Sequence, residues 1–235
     1  MDFLQACLNG DREAGVPRSP AELAEAARAC VAAGAVSVHA HPRDADGGES
    51  LAGDDVAAAL AALRAAVPEA EISFSTGLWI PSGDVDARLR AISSWTAAVP
   101  DVVSVNLCEE GWRDLAELVR SRGIGIEAGL WTPRDAEVLA ASGVHVRRVL
   151  VEPRSENPAE AVAMARDIDL TLDAVGLDAP RLHHGVGDAT WAILDRAVTL
   201  GHQIRIGLED VLTLPDGRRA PDNAALVVET VLRYA

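Results

Sequence analysis

The sequence has little cysteine, and what it has is not arranged for cross-linking. Its three cysteines, Cys7, Cys30 and Cys108, are odd in number, lie far apart and form no CxxC pair. A disulfide framework or a zinc knuckle needs paired or closely spaced cysteines. We therefore expect three reduced thiols that behave as small buried apolar side chains.

Positive charge and long apolar runs are also scarce. The 235 residues carry 21 basic against 36 acidic side chains, a formal charge of −15. This excess of negative charge repels phosphate backbones and anionic lipid surfaces, so we expect no nucleic-acid and no membrane partner. No apolar stretch approaches the length that spans a bilayer, and the N-terminus lacks the features of a signal peptide. These absences predict a soluble, cytoplasmic protein.

Hydrophobic residues, by contrast, are abundant, and they alternate between strand and helix patterns. They make up 49% of the sequence, enough for one large domain over residues 1–235. Short apolar runs predict strands at residues 4–8, 35–39, 71–75, 101–106, 123–129, 147–152, 180–184 and 202–207. Alanine- and leucine-rich stretches with capping residues predict helices at residues 20–33, 54–66, 84–95, 112–122, 133–142, 158–175, 188–200 and 220–234.

Eight strand-helix alternations with mostly short connections are typical of one α/β architecture. They predict a single-domain (β/α)₈ TIM barrel. A doubly wound open sheet is the alternative, but it usually has fewer strands. Its phosphate-binding turn is also missing, because residues 9–15 after the first strand do not form GxGxxG.

Two histidines at the end of the second predicted strand are the first candidate metal ligands. His39 and His41 would point to the same face of an extended strand, with Cα atoms roughly 6.6 Å apart. Pro42 cannot donate to a central ladder, and the polar residues after it predict a loop. In an isolated HxH pair, one histidine can instead cap the strand while the other is buried by chance. The prediction of a metal site therefore depends on the other residues at the strand ends.

In a TIM barrel the active site forms at the carboxyl ends of the strands. The predicted strand ends carry a set of side chains that can act as ligands, acids, bases or donors: Asn9, His39, His41, Ser75, Thr76, Asn106, Glu127, Glu152, His183, His184, Arg205, Glu209 and Asp210. The opposite ends, such as residues 67–70 and 98–101, carry no comparable set. His183 and His184 are adjacent, so they would face opposite sides of their strand and only one could enter the barrel mouth.

Glu209 is the natural third ligand for the histidine pair. Two imidazoles and one carboxylate make a catalytic type of zinc site with an open position for water or substrate. Glu209 and Asp210 alone would fit a solvated acidic loop. Arg205, four residues before Glu209 on the same strand, gives both acids a partner.

Three segments in this order resemble the β-keto acid cleavage enzymes, a zinc-dependent TIM-barrel family. Residues 38–44 resemble the family's HxHxRD, residues 75–77 its STGG and residues 204–210 its VRVGLED. The resemblance extends over nearly the whole chain. It implies retro-Claisen carbon–carbon cleavage, in which acetyl-CoA accepts the acyl piece of a small-molecule β-keto acid. The implied cofactor is Zn²⁺ or another divalent transition metal, and we expect a homo-oligomer.

The resemblance also implies roles for individual residues. The expected metal ligands are His39, His41 and Glu209. The expected catalytic residues are Arg205 and Asp210, which bind and activate the substrate, with Glu127 as the family's acid on strand five. The expected substrate-binding residues are Ser75, Thr76 and Asn106, the first two for the carboxylate of the keto acid.

The sequence departs from the family pattern near the substrate. Leu78 replaces the second glycine after STG, and Trp79 behind it narrows the space over the carboxylate. We predict that Trp79, Trp112 and Trp131 help to form the wall of the pocket. The loops are short, and no basic cluster for CoA phosphates is present beyond Arg12, Arg18 and Arg43.

Two other functions remain as alternatives. One is an amidohydrolase-type zinc barrel, but that family has HxH after strand one and histidines after strands five and six, where Glu127 and Glu152 stand here. The other is a metal-binding barrel without catalysis, which metal content without turnover of any keto acid would identify.

Overall fold

A closed barrel of eight parallel strands forms the centre of the molecule, as seen in a computed structural model that describes residues 3–96 and 99–234. Each strand pairs with the next, and β8 pairs with β1, with Gln5 opposite Arg205. The predicted (β/α)₈ barrel is therefore confirmed. Ala98, in one of the opposite-end loops discussed above, lies outside the described residues.

The elements follow the predicted order. The strands are β1 Leu4–Cys7, β2 Ser37–Ala40, β3 Glu71–Ser75, β4 Val102–Asn106, β5 Gly125–Leu130, β6 Arg148–Val151, β7 Arg181–His183 and β8 Gln203–Ile206. The helices are α1 Pro20–Ala32, α2 Gly53–Ala66, α3 Val85–Ser93, α4 Trp112–Ser121, α5 Pro133–Ser142, α6 Pro158–Ala174, α7 Thr190–Thr199 and α8 Asn223–Tyr234. None of the helices in this described part of the chain is long and apolar enough to cross a membrane.

Local sequence signals explain most of the boundaries. Ser19 caps α1, because its hydroxyl accepts from Glu22 N and the Glu22 carboxylate accepts from Ser19 N. The predicted boundaries lie within two residues of the observed ones except at the start of the last helix, and two of the differences affect the interpretation. The last helix begins at Asn223 instead of residue 220, because Asp222 caps it and residues 213–219 form a turn. Strand β5 continues to Leu130, where backbone pairing with β6 persists, so Glu127 is its third residue and not its end.

The lower part of the barrel interior is unusually polar. Glu127 accepts hydrogen bonds from Gln5 Nε2 at 2.8 Å and from Arg148 Nη1 at 2.6 Å. Arg148 also reaches Glu71 at 2.7 Å, and Ser73 donates to Glu127 at 2.5 Å. Burial alone lowers the pKa of Arg148, but the two carboxylates outweigh it and raise that pKa. The buried charges are therefore paired with one another beneath the mouth of the barrel.

Candidate active site

Three predicted metal ligands converge at the mouth of the barrel. His39 is the third residue of β2, His41 follows the end of that strand, and Glu209 lies in the loop after β8. The Nε2 atom of His41 is 3.4 Å from one Glu209 oxygen, and that of His39 is 3.9 Å from the other. The nearest nitrogen and oxygen atoms of all three lie within 4.8 Å of one another. This spacing suits one small cation.

The outer nitrogens of both imidazoles are already occupied. His39 Nδ1 is 2.8 Å from Ser73 Oγ, and His41 Nδ1 is 2.5 Å from Glu49 Oε1. Both Nε2 atoms are therefore left for the ion. Oε2 of Glu209 is buried and has no hydrogen-bond partner among the described residues. An unpaired carboxylate oxygen 3.9 Å from His39 Nε2, on a carboxylate that also contacts His41 Nε2, fits a divalent transition metal.

The charges of these ligands are strongly perturbed. Burial lowers the pKa of His39 well below its usual range. Burial also lowers that of His41, but Glu209 and Glu49 outweigh it and raise the pKa to about 9. For Glu209 burial raises the pKa, yet Arg205 and His41 hold it well below its usual range. The two carboxylates thus stabilise the charged form of His41, and a metal bound at its Nε2 would release the proton from that atom.

A second group of possible ligands, Asp169, His183 and His202, lies at the other end of the barrel. Arg181 and Arg196 already contact the Asp169 carboxylate at 3.1 and 2.6 Å. The two imidazole rings stack at 4.8 Å with an interplanar angle of 8°, so their lone pairs do not converge. We therefore assign no metal to this group.

Arg205 and Asp210 lie beside the candidate metal ligands. Arg205 donates to Glu209 and to Asp210, the latter at 3.2 Å. Cys7 Sγ donates to the second oxygen of Asp210 at 2.8 Å, and burial raises the pKa of that thiol well above its usual range. Both Arg205 and Asp210 are less than 5% exposed. The Asp210 carboxylate is thus held by a cation and a thiol in a site with little water.

His184 is the member of the histidine pair that faces this site. Its Nδ1 is 3.4 Å from Asp210, and its Nε2 is 3.6 Å from Glu152. Burial lowers its pKa, and so does Arg205, but the two carboxylates outweigh them and raise it to about 9. His183 faces the helices and lies 3.5 Å from Asp169 of α6. The sequence predicted that one of the two would do so, without telling which.

The three candidate metal ligands line a cavity of about 320 Å³, together with Arg205, Asp210 and Glu152. Ser75 and Asn106 also line it, together with Trp79 and Trp131. Asn106 Nδ2 donates to Glu109 at 2.8 Å, which fixes the orientation of the amide. The cavity is therefore enclosed by two tryptophans and a set of hydrogen-bonding groups.

Three predicted residues lie elsewhere. Glu127 is fully buried below the cavity, because β5 continues past it. Thr76 donates its hydroxyl to Ser104 O at 2.5 Å, so this hydroxyl holds β4 rather than lining the cavity. Trp112 begins α4 and packs in the apolar core. The prediction of a pocket wall was wrong for this tryptophan.

Sequence reasoning missed Glu49 and Ser73, the outer partners of the two histidines. Glu49 returns to His41 because residues 44–48 form a tight turn, with a bridge between Arg43 and Glu49. The Asp and Gly residues of that turn are the signal that could have placed it. Ser73 lies two residues before Ser75 on β3, so the strand period alone puts both hydroxyls on the inner face.

The three arginines considered for CoA hold loops together. Arg12 donates to the carbonyls of Leu208 and Glu209. Arg18 donates to Gly47 O, and Arg43 donates to Gly10 O at 2.5 Å. These guanidinium groups join the loops after β1, β2 and β8. They hold together the loops that carry His41 and Glu209, and Arg12 also lines the cavity described above.

Known proteins resemble the chain at the level of both sequence and fold. The sequence model of a family described as beta-keto acid cleavage enzyme matches residues 4–234. A solved structure of a binary complex of ObcA with oxaloacetate is 17% identical, with a TM-score of 0.72, and the match covers 93% of this chain and 63% of that one. A ternary complex of ObcA with a C4-CoA adduct and oxalate is 16% identical, with a TM-score of 0.74 and the same coverage. A putative fructose-1,6-biphosphate aldolase from Coccidioides immitis is 17% identical, with a TM-score of 0.57, over 99% of this chain and 90% of that one.

The identities to these solved structures are low, so they support the barrel fold alone. The chain spans less than two thirds of the length of the ObcA chains that it matches.

Proposed function

The chain belongs to the beta-keto acid cleavage enzyme family, and from this premise we propose that it is a zinc-dependent enzyme that cleaves a β-keto acid by a retro-Claisen route, with acetyl-CoA as the acyl acceptor. The observation that carries the proposal is one cavity that holds both a fitting metal triad and a buried Arg205 and Asp210 pair. A metal site without catalysis would not need the second pair. The same pair distinguishes the site from a purely structural metal centre.

His39, His41 and Glu209 would hold the metal. Bound there, the ion would supply Lewis-acid stabilisation of the negative charge that develops on a keto oxygen. The residues fit this task because they leave positions open toward the cavity.

The other residues of the cavity would bind substrate and move a proton. Ser75 and Asn106 offer donors for a substrate carboxylate, and Arg205 supplies a permanent positive charge beside it. Asp210 would remove a proton from a carbon atom of the bound substrate, because it is a buried carboxylate at the edge of the cavity. Trp79 and Trp131 would exclude water and favour a compact side chain on the keto acid.

A CoA thioester as the second substrate is supported by family membership and by the CoA adduct in the ObcA complex. Oxaloacetate in the other complex is itself a β-keto acid. Arg12, Arg18 and Arg43 already donate to backbone carbonyls, so CoA phosphates would have to share them or bind elsewhere.

The residues argue against two other mechanisms. The chain contains no lysine, so it cannot form the lysine Schiff base on which one class of carbon–carbon bond cleavage depends. Strands β5 and β6 bring Glu127 and Glu152, instead of the two histidines of an amidohydrolase. The residues that line the cavity therefore favour neither Schiff-base cleavage nor amidohydrolase-type hydrolysis.

The test combines metal analysis with a substrate screen. Purified protein should contain about one zinc per chain after supplementation, and a panel of β-keto acids with acetyl-CoA should yield a new β-keto acyl-CoA, detected by mass spectrometry. His39→Ala should remove the metal and the activity but leave circular dichroism unchanged, because the core layers lie beneath the site. Turnover by metal-free protein, or less than a tenth of an equivalent of bound zinc, would contradict the proposal.

A further inference from the structure

A chain of hydrogen bonds runs from the candidate metal ligand His39 down to the carboxylate of Glu127. His39 Nδ1 is 2.8 Å from Ser73 Oγ, which is 2.5 Å from Glu127 Oε2. All three side chains are at most 1% exposed, so bulk water does not compete for these bonds. The chain connects the mouth of the barrel to the polar layer below.

The direction of these hydrogen bonds follows from which groups can donate. The other oxygen of Glu127 accepts from Arg148 Nη1 and Gln5 Nε2, so the carboxylate is paired with a cation and acts as an acceptor. Ser73 must therefore give its only hydroxyl proton to Glu127, and its oxygen can only accept from His39. His39 then carries its proton on Nδ1 and turns the lone pair of Nε2 toward Glu209.

We propose that Glu127 and Ser73 are positioning residues that fix the tautomer of His39 and so raise its affinity for metal, an inference that rests on the proposed function. Glu127 then acts through a ligand and not on the substrate. His41 is oriented separately, by the direct contact of its Nδ1 with Glu49. Loss of the relay to His39 therefore leaves the second imidazole oriented.

Two substitutions test the relay in different ways. Ser73→Ala removes it, and the matched control Ser37→Ala removes another fully buried strand serine, which accepts from Gln5 and has no hydrogen bond to His39 in the described part of the chain. Glu127→Gln should reverse the relay. Arg148 and Gln5 donate at the Oε1 position, so the amide oxygen of the new glutamine would stay there. Its amide nitrogen would then face Ser73 and donate to the hydroxyl oxygen. The hydroxyl proton of Ser73 would in turn be donated to His39 Nδ1.

The first measurement is the histidine tautomer in metal-free protein, read from ¹⁵N shifts of labelled imidazoles and assigned with His39→Asn. Wild type and Ser37→Ala should carry the His39 proton on Nδ1, and Glu127→Gln should carry it on Nε2. The second measurement is zinc affinity by competition with a chromophoric chelator. Zinc affinity should fall roughly 10- to 100-fold in Ser73→Ala and in Glu127→Gln, as when other hydrogen-bond partners of metal-bound histidines are replaced. It should fall less than about twofold in Ser37→Ala.

A proton on Nε2 of His39 in the wild type, or equal zinc affinity in Ser73→Ala and Ser37→Ala, would overturn the relay. A wild type that binds no zinc would instead overturn the proposed function. The tautomer measurement still decides the relay in that case, because it needs no metal.

Discussion

Arg88 gives a prediction about how the cavity is supported that does not depend on the substrate. Its side chain is fully buried in α3, and Nη1 is 2.5 Å from Glu109 Oε2 while Nη2 is 2.6 Å from Glu110 O. Glu109 also accepts from the backbone of Leu78 at 3.1 Å and from Asn106 in the cavity at 2.8 Å. One carboxylate thus ties the loops after β3 and β4 together.

Replacing Arg88 by Met leaves Glu109 without its buried cation. Breaking such a pair from one side costs about 3–5 kcal/mol, a large share of the roughly 5–15 kcal/mol that stabilises a typical domain. Arg88→Met combined with Glu109→Gln removes the unpaired charge and should recover at least half of the loss. Urea unfolding monitored by circular dichroism gives each free energy of unfolding.

The matched control is Arg90→Met on the exposed face of the same helix, which should change the free energy of unfolding by less than about 0.5 kcal/mol. If Arg88→Met costs no more than Arg90→Met, the ion pair does not stabilise the fold. If the double variant is as unstable as Arg88→Met, the cost comes from packing and not from the unpaired charge.

Three further predictions concern the cavity. Asp210→Asn should retain zinc but lose roughly 10²- to 10⁴-fold in kcat, because an amide cannot accept the proton; a rate near wild type would remove Asp210 as the base. The pKa of His184 is about 9 in the folded protein against 6.5 normally, so its contribution to stability is complete below pH 6.5 and is lost as pH rises through 9. His184→Asn should therefore show a smaller loss of stability than wild type from pH 6.5 to 9 in urea unfolding of metal-free protein, and parallel curves would contradict this. Trp79→Ala should accept keto acids with longer side chains, measured as kcat/KM across a chain-length series, and an unchanged preference would mean that Trp79 does not limit the cavity.

The sequence predicted the barrel and the three candidate ligands for a common reason. Strand period and helix caps are local signals, so they can be read from short segments. The candidate ligands and Arg205 lie near strand ends, where an error of one residue in a predicted boundary leaves them at the mouth of the barrel. Family motifs supplied the pairing of residues far apart in the chain.

The sequence did not predict how deep in the barrel some side chains lie, or which residues they contact. Glu127 was placed near the mouth because the predicted strand, residues 123–129, began two residues early and ended one residue early, whereas in the structure Glu127 is the third of the six residues of β5. Thr76 bonds a neighbouring strand, which no motif specifies. Ser73 and Glu49 became visible as outer partners only when register and a turn brought them to the histidines.

The pairing of β1 with β8 has a consequence for the growing polypeptide. A ribosome makes β1 well before β8, so one edge of β1 remains without its partner until residues 203–206 emerge. Unpaired edges of this kind are templates for pairing with other chains. Glu209 follows β8 directly, so the carboxylate joins the two histidines only as the barrel closes. Nascent chains stopped before β8 would therefore present two histidines and an open edge, and the third candidate ligand would arrive only when the barrel closes.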